Sequence, residues 1–183
     1  LSQKWSLLLF VFLLLLPCSF LRAEKADLSA KGFSIQPSSD WMELPLPLEG
    51  VVVSYGKKGT LATFHITERN LDEIKTIDQL KWPDLFAPKF ESIEMGTQGT
   101  TTLGGEKAKY CVYTLKPGEF KTTMEGKLPG KYINYVLIHK GKLFSITFKD
   151  TADGFALTYP AFLAVMRTFR FDSSKTILPK KAL

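Results

Sequence analysis

Two histidines and two cysteines carry most of the chemistry this 183-residue chain could attempt. An imidazole becomes a zinc ligand or a general base only with further ligands or a carboxylate at fixed spacing. Neither His65 nor His139 has such a neighbour in sequence, and both fall in runs that alternate like strands. Cys111 paired with either histidine would mimic a thiol nucleophile, which needs a thiolate in a partly exposed, positive setting. It sits instead in Tyr110-Cys111-Val112-Tyr113, where an unpaired cysteine behaves as a small buried hydrophobe. Glu91 with Glu94, and Asp72 with Glu73, are carboxylate neighbours. Paired acid–base work requires two carboxyl groups opposed across a cleft, so solvated surface is the expectation for all four. Trp41 and Trp82 flank turns and could floor a groove, but capping the core suits their area better. The chain has no Gly-x-Ser-x-Gly elbow, phosphate loop or Gly-rich dinucleotide turn. The expectation is a non-enzyme: no catalytic, cofactor-binding or metal-binding residue, and no cofactor.

The elements that would position these residues are mostly strands. Gly32 to Ile35 alternates as a short strand, and Pro37-Ser38-Ser39-Asp40 is turn chemistry ahead of Trp41. Val51 to Tyr55 and Thr60 to Ile66 make a hairpin around Gly56-Lys57-Lys58-Gly59, with Phe64 and Ile66 on one face. Asn70, with Glu73 three positions on, has the capping-box pattern of a helix whose stripe is Leu71, Ile74, Ile77 and Leu80, and Pro83 should stop it. Phe90 to Met95 reads as strand, and Gly96 to Gly99 and Gly104-Gly105 bracket a Thr-rich run. Lys107 to Leu115 is a longer strand, and a polar excursion then runs from Pro117 to Gly130. Tyr132 to His139 and Lys142 to Phe148 pair across the tight Lys140-Gly141 turn. Phe155, Tyr159, Phe162, Leu163, Met166 and Phe169 describe a helix. Pro160 fits if regular helix begins near Tyr159; the alternative is a longer, kinked helix. The fold class implied is α+β, an antiparallel sheet with helices covering it.

The first residues speak to location. Lys4 precedes a twelve-residue apolar core from Trp5 to Leu16, and Arg22-Ala23-Glu24 follows. This is the pattern of a secretory signal peptide cleaved after Ala23. An uncleaved anchor and lipid attachment at Cys18 are the alternatives; a span of about 20 apolar residues would suit the first better. The division is then 1–23 signal peptide, 24–31 connector, 32–173 a single domain and 174–183 a polar Lys-bearing tail. Loss of Cys18 with the leader leaves Cys111 without an internal disulfide partner. The remaining 160 residues carry 22 basic and 18 acidic side chains, a net charge of +4. Nine lysines lie between Lys107 and Lys149 against only Glu119 and Glu125. Such a face could meet an anionic membrane or an acidic protein, but lysine also guards strand edges. No arginine cluster or aromatic platform points to nucleic acid.

The order of motifs resembles the PsbP-like superfamily. Gly32-Phe33-Ser34-Ile35 leading through Pro37 to Trp41 resembles that family's opening "F-S-I-x-x-P-x-x-W". Thr102 to Ala108 resembles its Gly-containing entry to a long central strand, and Thr168-Phe169-Arg170-Phe171 its "S-F-x-F" close. The resemblance spans 32–171 and implies an α/β/α sandwich around a central antiparallel sheet. That family includes extrinsic lumenal subunits of photosystem II, a eukaryotic binder of a small nuclear GTPase, and exported bacterial members without assigned role. It implies no residue-level site here. The leader argues against a nuclear role and is not a transit peptide. The expectation is an exported, periplasmic or extracellular binding or accessory module that meets another protein or an envelope membrane surface, with no nucleic acid. An extrinsic photosystem II-type subunit is the alternative.

Overall fold

The computed structural model describes residues 28, 31–45, 50–71, 76–86, 93–115 and 130–172. The leader, Cys18, Asp72, Glu73, Glu91, the excursion at 117–129 and the tail at 174–183 lie outside those residues. Strand β1 (Phe33–Ser34) is followed by β2 (Trp41–Glu43), β3 (Val51–Lys57) and β4 (Thr63–Asn70). A 3₁₀ turn (Ile77–Gln79) and helix α1 (Trp82–Phe86) lead to β5 (Ile93–Leu103), β6 (Glu106–Leu115), β7 (Gly130–His139) and β8 (Lys142–Thr151). Helix α2 (Ala152–Met166) and β9 (Arg170–Phe171) close the chain.

Seven strands form one antiparallel sheet in the order β2-β3-β4-β8-β7-β6-β5, and β1 pairs with β9 as a separate ribbon. The tight turns set much of the register. Lys140 (φ 48°) and Gly141 (φ 76°) both have positive φ, the geometry of a type I′ turn, and place His139 opposite Lys142. Gly104 and Gly105 turn β5 into β6 in the same way, at φ 61° and 91°. The class is α+β.

Alternation along the strands separates two cores. Phe144, Ile146 and Phe148 of β8, and Ile133, Tyr135 and Leu137 of β7, pack with Phe155, Phe162, Val165 and Met166 of α2. Strand residues of opposite parity, Cys111, Tyr113, Val136 and Leu143, pack with Ile77, Leu80 and Trp82. Both faces of the sheet are therefore covered where these elements lie.

Four local expectations change. Asn70 ends β4, paired with Lys142, and its capping-box partner Glu73 lies outside the described residues. The cap is Thr76, whose backbone N–H donates to Gln79 Oε1 at 2.9 Å ahead of a single 3₁₀ turn. In a 3₁₀ turn residues i and i+3 eclipse, so Ile77 and Leu80 meet the apolar spacing of a helix in one short turn. Pro83 does not end a helix but lies in the first turn of α1, where its missing N–H has no partner to lose.

Gly96-Thr97 is no turn either; β5 runs through it with a register shift between Met95 and Gln98. A Cβ on Gly96 would stand 3.0 Å from the Val112 carbonyl oxygen, so the bulge needs glycine there. Finally, α2 begins well before Tyr159. Thr151 Oγ1 accepts from the Gly154 N–H at 3.0 Å and starts the helix there, leaving Pro160 inside it. Pro160 and Ala156 are both exposed, so the carbonyl that the proline leaves without a helical donor lies on the solvent side.

Candidate functional site

Cys111 lies at the centre of β6, fully buried, with Sγ 3.3 Å from the Val112 carbonyl oxygen and 3.7 Å from Met95 Sδ. Burial pushes its thiol up to about 11, against a weaker lowering by a backbone hydrogen bond at Gly96. At neutral pH it is a thiol, not a thiolate, and has no use as a nucleophile. An aromatic disulfide reagent should leave native Cys111 unmodified over the time in which it labels the urea-unfolded chain fully. Equal rates in the two states would overturn this burial.

His65 sits on β4 between Ser54 of β3 and Thr147 of β8. Burial first, and the Lys149 charge second, push its imidazole down to about 4, so it is neutral at physiological pH. Trp41 and Trp82 are buried, one in each core, Trp41 edge-on to Phe64 at 5.0 Å and Trp82 stacked on Phe86 at 5.7 Å. Glu94 is exposed on β5. Among the described residues of the lysine-rich stretch, four lysines have partners within the molecule. Lys107 Nζ bonds both Asp78 oxygens at 2.7 and 2.9 Å, and Lys109 Nζ donates to the Leu80 carbonyl at 2.9 Å. Lys142 pairs with Glu68, and Lys131 lies 5.2 Å over the Phe155 ring.

His139 ends β7, a sheet histidine as its run of sequence implies, but with a carboxylate partner that no neighbour in sequence announces. Its Nδ1 lies 2.8 Å from Glu106 Oε1, and its ring lies flat on Phe171, centroids 3.8 Å apart and planes 6° off parallel. The antiparallel register that sets Ala108 against Leu137 brings Glu106 beside His139 across 33 positions of sequence. No local spacing signals that pairing, because β6 ends at Leu115 and β7 begins only at Gly130, too far apart for a tight turn to set the register. An imidazole oriented by a carboxylate is one part of an acid–base device, but a nucleophile or substrate must meet the ring as well. Among the described residues there is no group of three His, Cys, Asp or Glu side chains that could hold a metal.

Next to this pair is a cleft of about 370 Å³, between the β7–β8 turn and the β1–β9 ribbon. Phe144 and Gly32 supply apolar and backbone wall, and Lys31, Lys140 and Asp172 bring charge. The Lys142–Glu68 pair closes another side. A smaller cleft of about 110 Å³ has Asn134 and Ser145 in its floor, but there Ser145 Oγ already donates to Asn134 Oδ1 at 2.8 Å.

The outer side of α2 is the second conspicuous surface. No charged residue occurs from Gly154 to Met166, and Leu157 is 82% exposed. Asp153, Leu157, Pro160, Ala164 and Arg167 are all exposed and spaced 4-3-4-3, which places them on one stripe. Among the described residues no helix is long and apolar enough to cross a membrane.

No family model matches the sequence. No curated protein matches it either. Solved structures do match. The solution structure of the cyanobacterial PsbP protein CyanoP from Synechocystis sp. PCC 6803 superposes with a TM-score of 0.60 at 13% identity, over 81% of this chain and 92% of that one. LpqN of Mycobacterium tuberculosis, described as involved in cell envelope biogenesis, gives 0.51 at 14% identity, over 75% and 82%. The Ran-binding protein Mog1p of Saccharomyces cerevisiae gives 0.55 at 8% identity, over 81% and 94%. The fold is PsbP-like.

Proposed function

We propose that this protein is an exported, non-catalytic accessory module that docks onto another protein of the cell envelope through the outer stripe of α2. The stripe carries the reading. A surface helix of a globular domain ordinarily turns charged residues to water, and this one turns out Leu157, Pro160 and Ala164 instead. The only charges on the stripe are Asp153 at one end and Arg167 at the other. That pattern complements a partner helix running antiparallel, with a cation set against Asp153 and an anion against Arg167. The small side chains of Pro160 and Ala164 allow the close approach that helix packing needs. A membrane surface fits less well, because interfacial helices bury several bulky apolar residues and line their polar face with cations.

Export is supported by the leader pattern at 1–23 and by likeness to LpqN, described as involved in cell envelope biogenesis. With both sheet faces covered, we read the layers as an α/β/α sandwich, in which α2 is the layer free to meet a partner.

A photoreactive phenylalanine analogue in place of Leu157 should cross-link one envelope protein, and the same analogue in place of Lys81 should not. Leu157→Asp should then lower affinity for that purified protein about tenfold or more, while the melting temperature stays nearly constant because the side chain is exposed. Unchanged affinity, or equal cross-linking from both positions, sinks the proposal. A cross-link to a second copy of this chain would make the partner the protein itself. Binding only to anionic vesicles, lost in Leu157→Asp, would overturn the protein partner in favour of lipid.

A further inference from the structure

We infer that the smaller cleft, on the face of the sheet away from α2, binds a carboxylate carried on a short apolar body. It shares no residue with the α2 stripe, so the two readings stand or fall separately. Three observations converge on it.

The first is Asn134. It lies in β7, an inner strand between β8 and β6, and is only 6% exposed. Asparagine is depleted in strands, and burying its amide is costly unless the polar atoms are bonded. The Ser145 hydroxyl donates to Oδ1 at 2.8 Å, which leaves the Nδ2 hydrogens without an acceptor among the described residues. Nδ2 is not sealed off: Asn134 lines the cleft, so the unspent donor opens into it. A buried polar pair adds little to stability beyond what two apolar side chains of the same shape would give. Its presence in mid-sheet points to a ligand instead.

The second is Arg69. Strand pairing sets Arg69 against Leu143, Thr67 against Ser145 and Asn134 against Thr147, and alternation puts the cleft's strand residues on one face. Lys57, Lys107 and Lys142 are each paired with a carboxylate, whereas Arg69 is exposed and has no such partner among the described residues. Thr67 turns its hydroxyl hydrogen to the Ser145 carbonyl oxygen at 3.4 Å, so the donors left over are those of Arg69 and Asn134. No acidic side chain among the described residues lines the cleft to compete for them. A guanidinium offers parallel N–H groups that match the two oxygens of a carboxylate.

The third is the shape. Ile77, Leu80 and Trp82 cover this face over β6 and β7, and toward β4 it turns polar at His65, Thr67 and Arg69. The cleft lies at that boundary, with buried Leu143 and half-buried Leu85 as its apolar wall. Its volume of about 110 Å³ is well below the roughly 300–1,000 Å³ of sites for drug-sized ligands. A carboxylate and a few carbons fill it, with the oxygens toward Arg69 and Asn134 and the carbons on the two leucines.

Titration of the full chain with butyrate and with neutral butyramide, read by backbone and side-chain amide NMR, tests this. Butyrate should shift the Asn134 Nδ2 signals and the backbone amides of Thr67, Arg69 and Ser145. It should bind at least about tenfold more tightly than butyramide, the value of a charge-assisted hydrogen bond. Arg69→Gln should lower butyrate affinity about tenfold, with butyramide affinity and melting temperature nearly unchanged because the side chain is exposed. Asn134→Val combined with Ser145→Val removes both partners of the buried pair, and should weaken butyrate about threefold or more yet melt no lower than the parent. That opposition separates a binding role from a structural one. N-acetylalanine stands in for a polypeptide C-terminus: tighter binding than butyrate assigns the carboxylate to a partner's chain end, weaker binding to a free acid. The inference is overturned if butyrate fails to bind at about 10 mM, if butyramide binds equally well, or if the shifts map elsewhere. Parental butyrate affinity in Arg69→Gln or in the double variant would overturn it too.

Discussion

Phe162→Ala should destabilise the protein by about 3–5 kcal/mol, the range for emptying a fully packed phenylalanine site. Phe162 is 0% exposed and is the point where α2 meets the sheet. Its ring stacks on Phe148 at 4.7 Å and contacts Phe64 at 5.6 Å, Tyr159 at 6.1 Å and Tyr135 at 6.2 Å. These partners come from β8, β4, α2 and β7, so one ring ties three adjacent strands to the helix above them. Collapse around an alanine is resisted on two sides. The sheet is hydrogen-bonded on both flanks of β8, and α2 is pinned at its start, where Asp150 Oδ2 accepts from Thr158 Oγ1 at 2.6 Å. Because the cavity cannot close, its cost adds to the lost burial. Urea unfolding should show a lower midpoint with an unchanged slope, and Phe162→Leu should lose less than half as much. A loss under about 1 kcal/mol would mean that the site relaxes freely and that α2 is not anchored here.

The parts of this molecule that are legible in its sequence are those whose cause is local. Lys140-Gly141 between two alternating runs can close only one hairpin, and the phenylalanines of β8 show their face by parity alone. Where two local structures satisfy one pattern, sequence fails. Ile77 and Leu80 are three apart, which suits an α-helix or a single 3₁₀ turn, and the Thr76–Gln79 box decides it. A proline likewise marks a helix as interrupted or begun, and only exposure of Pro160 and Ala156 explains how α2 passes through one.

The candidate cleft was illegible for a different reason. Its walls come from residues far apart in the chain: Gly32 beside Asp172, through pairing of β1 with β9, and His139 beside Glu106, through the β6–β7 register. No short-range signal sets either pairing.

The other large effect is on acid stability, and it belongs to His65. Its imidazole is pushed down to about 4 in the folded protein, by burial first and by the Lys149 charge second. In the unfolded chain the same group titrates near its ordinary value of about 6.5. Above that value both states are neutral and the residue adds no pH dependence. As pH falls below it, the unfolded chain takes up a proton that the folded protein refuses, so stability declines until the folded value is reached. The window is therefore pH 6.5 down to about 4, and the full loss is at most about 3 kcal/mol, at 1.36 kcal/mol per unit. Asp40 works in a separate window. Hydrogen bonds from Lys57 and Ser38 hold its carboxyl below 3.8, so the stability it contributes is lost only at lower pH. Urea unfolding at steps from pH 7 to pH 4 should thus show a slope in the wild type that His65→Gln removes in large part, since glutamine does not titrate. If the two proteins lose stability in parallel across that range, the imidazole accepts its proton in the folded state, and the packing of His65 between Ser54 and Thr147 is looser than the structure has it.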